Sequence, residues 1–387
     1  MLAFTSWGGG AATVKLAILE WICGGGLFDM SEAQIPTSLR REGWAMLDCL
    51  ATLFANAGHE VTTLLDERLI DQDCRNKLSA QGLDFNLLVQ SLENRAKSTS
   101  RQVTLKAWNQ LALNSDLTLV IAPELDGILQ ECLAELSRHG VKLLNCREPF
   151  LTAACDKWIT AQKLAAHCVA HPSTWLVCDF PLQSIDLAQR WCLKPRFGAG
   201  CEGLMIASAR DVPKIVEQHL STSDQWIIQP WIEGRAFSCS TITDRHGADH
   251  WLPLVTQDLN VWQEPWKDAF VVWRLSYHGG RIDFEPSQQR PIDLLDSALC
   301  ALRKPLVENF SQLDLANVET LGWIGVDLLT SLNGNWIVIE INPRMTTSVI
   351  GLSGAANSNL GQLMIDGFFG KLAHNAGGSL VDFNHSL

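Results

Sequence analysis

Three side chains late in the chain carry donors that could do chemistry together. The segment from Gly325 to Asn342 contains Asp327, then Asn333-Gly334 between two apolar runs, then Glu340-Ile341-Asn342. Asn-Gly in that setting is a strong hairpin signal, and a two-residue type I′ turn on it puts Asp327 directly opposite Glu340. Residues two apart on a strand share a face, so Glu340 and Asn342 join Asp327 on one side. Two carboxylates about 5 Å apart at Cβ repel each other unless a cation lies between them. Oxygen donors without imidazole or thiolate suit a hard ion such as Mg²⁺. The plainer reading is a solvent-facing hairpin with hydrated charges. A longer loop would shift the register but leave Glu340 and Asn342 on one face.

A second group is Lys194-Pro195-Arg196-Phe197-Gly198-Ala199-Gly200-Cys201-Glu202-Gly203. Spaced glycines let backbone N–H groups cradle phosphate oxygens, and Lys194 at a strand end adds a compact positive charge. The stretch is not a GxxxxGK[ST] loop, and alone it reads as a turn. Beside the carboxylate hairpin, phosphate binding becomes the favoured reading.

These residues need a scaffold, and the chain supplies one. Lys15 to Cys23 reads as an apolar strand ending in Gly24-Gly25-Gly26, and Leu39 to Asn56 places Met46, Leu50 and Phe54 at helical spacing, with Gly58 as its stop. Strands are expected at His59 to Leu65, Leu117 to Ala122 and Val141 to Asn145, with a helix from about Leu125 to His139. This βαβ alternation predicts a doubly wound α/β domain with a parallel sheet. The triple glycine reads as a tight turn, or as a loop near ligands at the carboxyl ends of the strands. Further on, Asp156-Lys157 opens a helix to about His167, and strands are expected at Trp191 to Pro195, Trp226 to Ile232, Gly322 to Thr330 and Trp336 to Ile341.

The 387 residues carry 42 acidic and 30 basic side chains, a formal charge of −12. Nucleic acid and anionic lipid are captured mainly through basic faces, so neither is an expected partner. With 47% hydrophobic and 19% charged residues, the chain is of ordinary globular composition. No apolar run approaches the ~18 residues of a membrane span. The twelve cysteines form no CxxC pair and no zinc-like cluster, which suits a reduced, cytoplasmic protein. Residues 1–14, rich in glycine and without a basic start, are expected to be a flexible extension.

At the residues quoted above, the chain resembles the ATP-grasp superfamily over roughly residues 15 to 370. The resemblance implies an ATP-grasp fold: a pre-ATP-grasp α/β domain (15–150), a central lid subdomain with the Gly-rich loop (151–235) and a C-terminal subdomain with the Mg site (236–387). It implies ATP and Mg²⁺, with Lys157, Lys194, Gly198, Gly200, Gly203, Gln229, Ile232 and Glu233 at the nucleotide and Asp327, Glu340 and Asn342 at the metal. Ile18-Leu19-Glu20-Trp21-Ile22-Cys23-Gly24-Gly25-Gly26, Glu42 to Leu47, Gly58 to Val61, Ile121-Ala122-Pro123-Glu124 and Glu340 to Ser348 narrow it further. They resemble the tyramine- or tyrosine–glutamate ligases of methanofuran biosynthesis and their methylotroph relatives.

The activity so implied joins a small-molecule carboxylate and an amine through an acyl phosphate. Arg344, whose planar fork suits a carboxylate or phosphoryl oxygens, and Lys194 are the expected catalytic residues. Glu20, Glu124, Arg344 and Thr346 are the expected substrate residues. Plainer readings are a strand-end salt bridge for Arg344, a solvated helix residue for Lys157 and surface carboxylates for Glu20 and Glu124. A homodimer is left open. Gln229 and Ala236 stand where acidic residues are common, and Cys201 where Ser or Gly is usual. The alternatives are therefore a nucleotide-binding or scaffold protein on a decayed ATP-grasp fold, or a ligase with other amino-acid or pterin substrates.

Overall fold

The computed structural model describes residues 13–80, 84–88, 100–266, 270–282, 291–304 and 320–372. All but the last two residues of the expected N-terminal extension lie outside them. The chain divides into two compact units: Met1–Ala122 with Glu131–Leu144 and Asn359–Gln362, and Pro123–Gln130 with Asn145–Ser358 and Leu363–Leu387.

The first unit is built on four parallel strands, β1 (Lys15–Glu20), β2 (Glu60–Asp66), β3 (Asp84–Leu88) and β4 (Leu117–Ile121), in the order β3-β2-β1-β4. Its helices are α1 (Thr37–Asn56), α2 (Gln72–Ala80), α3 (Ser100–Ala112) and, from Glu131 on, α4 (Ile128–Arg138). β1 and β4 bury mainly apolar side chains, with Glu20 and Thr118 the buried polar ones, and α1 buries Met46, Leu47, Leu50, Ala51 and Phe54, the stripe that helical spacing requires. The helix stops at Gly58, which takes a φ of +85°.

Two expectations are corrected. Val141 to Asn145 is not a strand: it meets β4 through the single parallel bridge Thr118↔Leu143, because Lys142 and Asn145 leave too short an apolar run to extend the sheet. The helix expected from Leu125 starts at Ile128, because Asp126 and Gly127 take left-handed φ of +49° and +68° in the preceding 3-10 turn.

The triple glycine is a packed turn. A Cβ on Gly24 would lie 2.4 Å from the Glu20 carbonyl, and one on Gly26 2.2 Å from the Trp21 ring. Trp108 Nε1 and Thr104 Oγ1 donate to the carbonyls of Gly24 and Gly25. Close packing accounts for Gly24 and Gly26, and a left-handed φ of +93° for Gly25.

The second unit carries nine further strands: β5 (Trp175–Leu176), β6 (Arg190–Pro195), β7 (Met205–Ser208), β8 (Trp226–Pro230), β9 (Gly234–Thr243), β10 (Asp249–Trp266), β11 (Phe270–Ile282), β12 (Gly322–Ser331) and β13 (Trp336–Asn342). They form one sheet in the order β13-β12-β9-β10-β11-β7-β6-β8-β5. The two expected subdomains thus share a sheet, joined where Trp273 of β11 pairs with Ile206 of β7.

Strand alternation gives this sheet two faces. Trp191, Leu193, Met205, Ala207 and Ile228 pack with Val212, Ile215 and Val216 of α7 (Val212–Gln218), so Cys192, Lys194, Ile206 and Gln229 turn the other way. Phe237, Cys239, Ile324, Val326 and Leu328 pack with Leu295, Leu299 and Leu302 of α8 (Ile292–Arg303), so Ser238 and Asp327 also turn the other way. Ahead of these lie α5 (Phe150–Cys155) and α6 (Lys157–Ala166), and Lys157 opens the latter as expected. Among the described residues no helix is long and apolar enough to cross a membrane.

Candidate active site

β12 and β13 pair antiparallel with Asp327 opposite Glu340 and Gly325 opposite Asn342, the pairing the sequence predicts. The turn differs. Ser331 N–H donates to the Asn335 carbonyl and Gly334 N–H to the Ser331 carbonyl, so Leu332-Asn333-Gly334 form a three-residue loop with Gly334 left-handed at +80°. That shifts the pairing by one, as at Leu328↔Val338, and an irregularity between Asp327 and Leu328 restores it at the site.

The carboxylates are held by different partners. Asp327 accepts from Asn342 Nδ2 (3.0 Å) and from Gln257 Nε2 (2.9 Å) on β10, and the Ser238 hydroxyl bonds to it as well. Part of its surface reaches solvent, yet protein atoms crowd the carboxyl group. Burial, reinforced by the negative charge of Glu340, pushes its pKa up to about 6. Glu340 meets Lys157 Nζ at 3.0 Å and Lys194 Nζ at 3.9 Å. Burial works against its charge as well, but the two ammonium groups overcome it and hold the pKa below the usual carboxylate range.

Lys157 also donates to the Gly198 carbonyl at 2.6 Å, tying the Gly-rich loop to β13. The start of α6 is fixed by Asp156, which caps it by accepting from Trp158 N and Ile159 N. The same carboxylate takes Arg196 Nε and Nη2 at 2.8 and 2.6 Å. Within the loop Gly200, Cys201 and Gly203 have left-handed φ of +66°, +64° and +73°. A Cβ on Gly203 would also lie 2.8 Å from Pro195 Cγ.

The other predicted residues fall in separate places. Arg344 Nε donates to Glu124 Oε2 at 2.7 Å, and the other oxygen of this buried carboxylate has no hydrogen-bond partner among the described residues. Thr346 shares its hydroxyl with Ser348, Ser240 and Trp323 Nε1. Gln229 donates to Thr174 Oγ1 at 2.8 Å, Glu233 is ion-paired with Arg190, and Ile232 follows β8 half-buried. Glu20 belongs to the first unit, buried and accepting from Cys23 N at 2.6 Å. Sequence reasoning missed Gln257, Ser238 and the Asp156–Arg196 pair; their partners are 40 to 89 residues away, so no local pattern marks them.

The donor set fits a hard divalent cation. Asp327 and Glu340 face each other with their mutual repulsion uncancelled at Asp327, and Asn342 offers an amide oxygen when its side chain is turned over. Among the described residues no three His, Cys, Asp or Glu side chains gather into a cluster. This set therefore suits an ion such as Mg²⁺ that takes one or two carboxylates and completes its shell from phosphates and water.

The site thus sits on one face of a single antiparallel sheet, where a lysine-flanked glycine loop lies beside an Asp/Glu/Asn oxygen set. Residues 154–348 match the ATP-grasp domain and residues 59–149 the pre ATP-grasp 3 domain. The chain belongs to the ATP-grasp family and has its fold, with an N-terminal pre-ATP-grasp domain. A tyramine–L-glutamate ligase from Methanocaldococcus jannaschii is 24% identical over 330 residues, 85% of this chain and 83% of that one. An ATP-grasp superfamily protein from Archaeoglobus fulgidus is 23% identical, with a TM-score of 0.60 over 92% of this chain and 89% of that one. A biotin carboxylase from Campylobacter jejuni, solved with β-γ-ATP, is 12% identical, with a TM-score of 0.63 over 96% of this chain and 74% of that one.

Proposed function

We propose that this chain is an ATP-dependent carboxylate–amine ligase, and that glutamate with tyramine or tyrosine is its substrate pair, the amide belonging to methanofuran-type one-carbon carriers. The observation that carries this reading is Glu340 standing between two lysines on the face it shares with Asp327 and Asn342. Such a face can receive a polyphosphate and a cation together, while the curated relatives similar to this chain over most of its length supply the substrates.

A substrate carboxylate oxygen attacks the γ-phosphorus of ATP, the bond to the β,γ-bridging oxygen breaks, and ADP leaves with an acyl phosphate formed. The amine then attacks the acyl carbon, phosphate leaves, and the nitrogen loses a proton. The chain's part is chiefly positioning and charge neutralisation. Lys157 and Lys194 exchange Glu340 for phosphate oxygens, and the loop from Gly198 to Gly203 lays its N–H groups over them. Asp327, Glu340 and Asn342 would hold Mg²⁺, which would supply charge neutralisation to the polyphosphate. Arg344, steered by Glu124, points a cation at the end of β13.

The test is product analysis of purified protein with Mg·ATP, glutamate and tyramine, and with hydroxylamine replacing the amine. ADP, phosphate and amide, with a hydroxamate in the trapped reaction, are expected. AMP and pyrophosphate would refute the mechanism. Nucleotide binding without turnover over a panel of acids and amines would favour the scaffold reading.

A further inference from the structure

The long hairpin of β10 and β11 carries side chains that the phosphate chemistry does not use, and its register shows which way they face. Val255 pairs with Ser238, and Ser238 with Asp327, so Val255, Gln257, Leu259, Val261 and Gln263 lie on the face of the carboxylates. Gln257 confirms this by reaching Asp327 at 2.9 Å. On β11 the partners are Gly280, Tyr277, Leu275 and Trp273, with the extra residue of the irregularity taken up between Tyr277 and Gly280. Tyr277 Oη lies 3.3 Å from where a Gly280 Cβ would be, so the ring covers that glycine on the same face.

The other end of the hairpin gives the same orientation independently. Trp273 pairs with Ile206, and Ile206 with Cys192, both turned away from the α7 core as Lys194 is. The Arg190 guanidinium lies 5.4 Å from the centre of the Trp273 ring, on that face. Between Gln257 and Trp273 the face offers Leu259 with Tyr277 and Val261 with Leu275, a strip of two successive pairs about 7 Å apart at about 3.3 Å per residue. Val261 is 45% exposed, and Leu259, Leu275 and Tyr277 are half-buried.

The geometry points to this strip as the subsite for a flat apolar arm, an aryl group, on the amine substrate. It rests on the ligase reading. The polyanionic parts of the reaction have their own partners in Lys157, Lys194 and the carboxylate face, and β12 and β9 lie between the strip and Glu340. Leu259 and Tyr277 begin about 7 Å along the strand from Gln257, which touches a metal-site carboxylate. A short arylalkyl amine can therefore hold its nitrogen at the activated carboxyl while its ring covers the strip. Leucine, valine and tyrosine surfaces continuous with a reaction centre gain most from a ligand that removes them from water.

Two measurements on the wild type, Val261→Glu and Tyr277→Ala test this. The first is saturation-transfer NMR of 2-phenylethylamine in the presence of Mg·ATP and glutamate. The second is the ratio of kcat/KM for the aryl amine to that for hydroxylamine, which has no arm. Ring signals from the wild type, weakened in both variants, and a ratio lower by about tenfold or more are expected. Absence of ring contacts in the wild type, or an unchanged ratio in folded variants, would overturn the subsite. A parallel loss with both amines would overturn it too and assign the strip to nucleotide or fold. Ring binding lost in both variants without turnover of any pair would keep the subsite and refute the ligase reading.

Discussion

Lys157 and Glu340 form an ion pair at 3.0 Å, and the same ammonium group holds the Gly198 carbonyl at 2.6 Å. One side chain thus links the start of α6, the glycine loop and β13. The lysine expected at a phosphate neutralises the carboxylate expected at the metal. On the proposed reading, a cation bound together with a polyphosphate would let both trade partners without burying a bare charge.

Replacing Glu340 by Gln removes the shared counter-charge and leaves two largely buried lysines facing an amide. The cost should be about 2 kcal/mol, between the values for surface and buried pairs. Thermal melts should show it, together with loss of the stabilisation that Mg·ATP gives the wild type, about 2.7 kcal/mol at a hundredfold excess over Kd. A variant that melts, binds and turns over like the wild type would remove Glu340 from the site.

Gly203 combines a φ of +73° with a Cβ position 2.8 Å from Pro195 Cγ. Gly203→Ala should cost about 1–2 kcal/mol through left-handed strain, with crowding added, and weaken Mg·ATP because the loop cannot keep its curve. Titration calorimetry against Mg·ATP checks this. Unchanged affinity would mean that the loop does not follow the phosphates.

How far the sequence told this in advance depends on the range of the interaction. The opposition of Asp327 and Glu340 was legible from Asn333-Gly334, yet for an incomplete reason: a three-residue loop replaced the two-residue turn, and a second irregularity cancelled the shift. Such irregularities answer to the pairing of β12 with both β9 and β13, which no local motif encodes. α1, β1 and β4 were legible because their apolar periods match their burial. β3, with Asp84 and Asn86 in five residues, did not look like a strand and is one through pairing with β2. The lysine pair at Glu340 joins positions 183 and 146 residues apart, visible only once the strands lie side by side.

Asp156 does two things at once, capping α6 and holding Arg196. Asp156→Ser separates them, since serine caps as well as aspartate does but offers no carboxylate. A loss of about 2 kcal/mol is expected from the charge-assisted bonds, with a severalfold rise in the KM for ATP as Lys157 loses its anchorage to the loop. Asp156→Ala should lose about 1 kcal/mol more, the worth of the cap. Equal stability of the two variants would show that the cap contributes nothing.

Glu20 provides a test in pH. Burial pushes its pKa up to about 7 from an ordinary 4.5, against the opposing hydrogen bonds from Cys23 and Ile22, and Glu42 adds to the rise. A carboxyl whose folded pKa is raised gives its full stability below pH 4.5 and loses it as pH climbs to about 7. The 2.5-unit span (7 − 4.5) corresponds to a loss of about 3 kcal/mol at most by pH 8. Glutamine keeps an oxygen for Cys23 N–H and carries no charge, so Glu20→Gln should match the wild type near pH 4.5 and exceed its stability at pH 8. Urea unfolding of both proteins at a series of pH values reads this difference directly. Parallel stability curves would show that Glu20 is ionised in the fold at no cost. A stabilised variant that had lost amide formation would place its carboxylate at the substrate as well as in the turn.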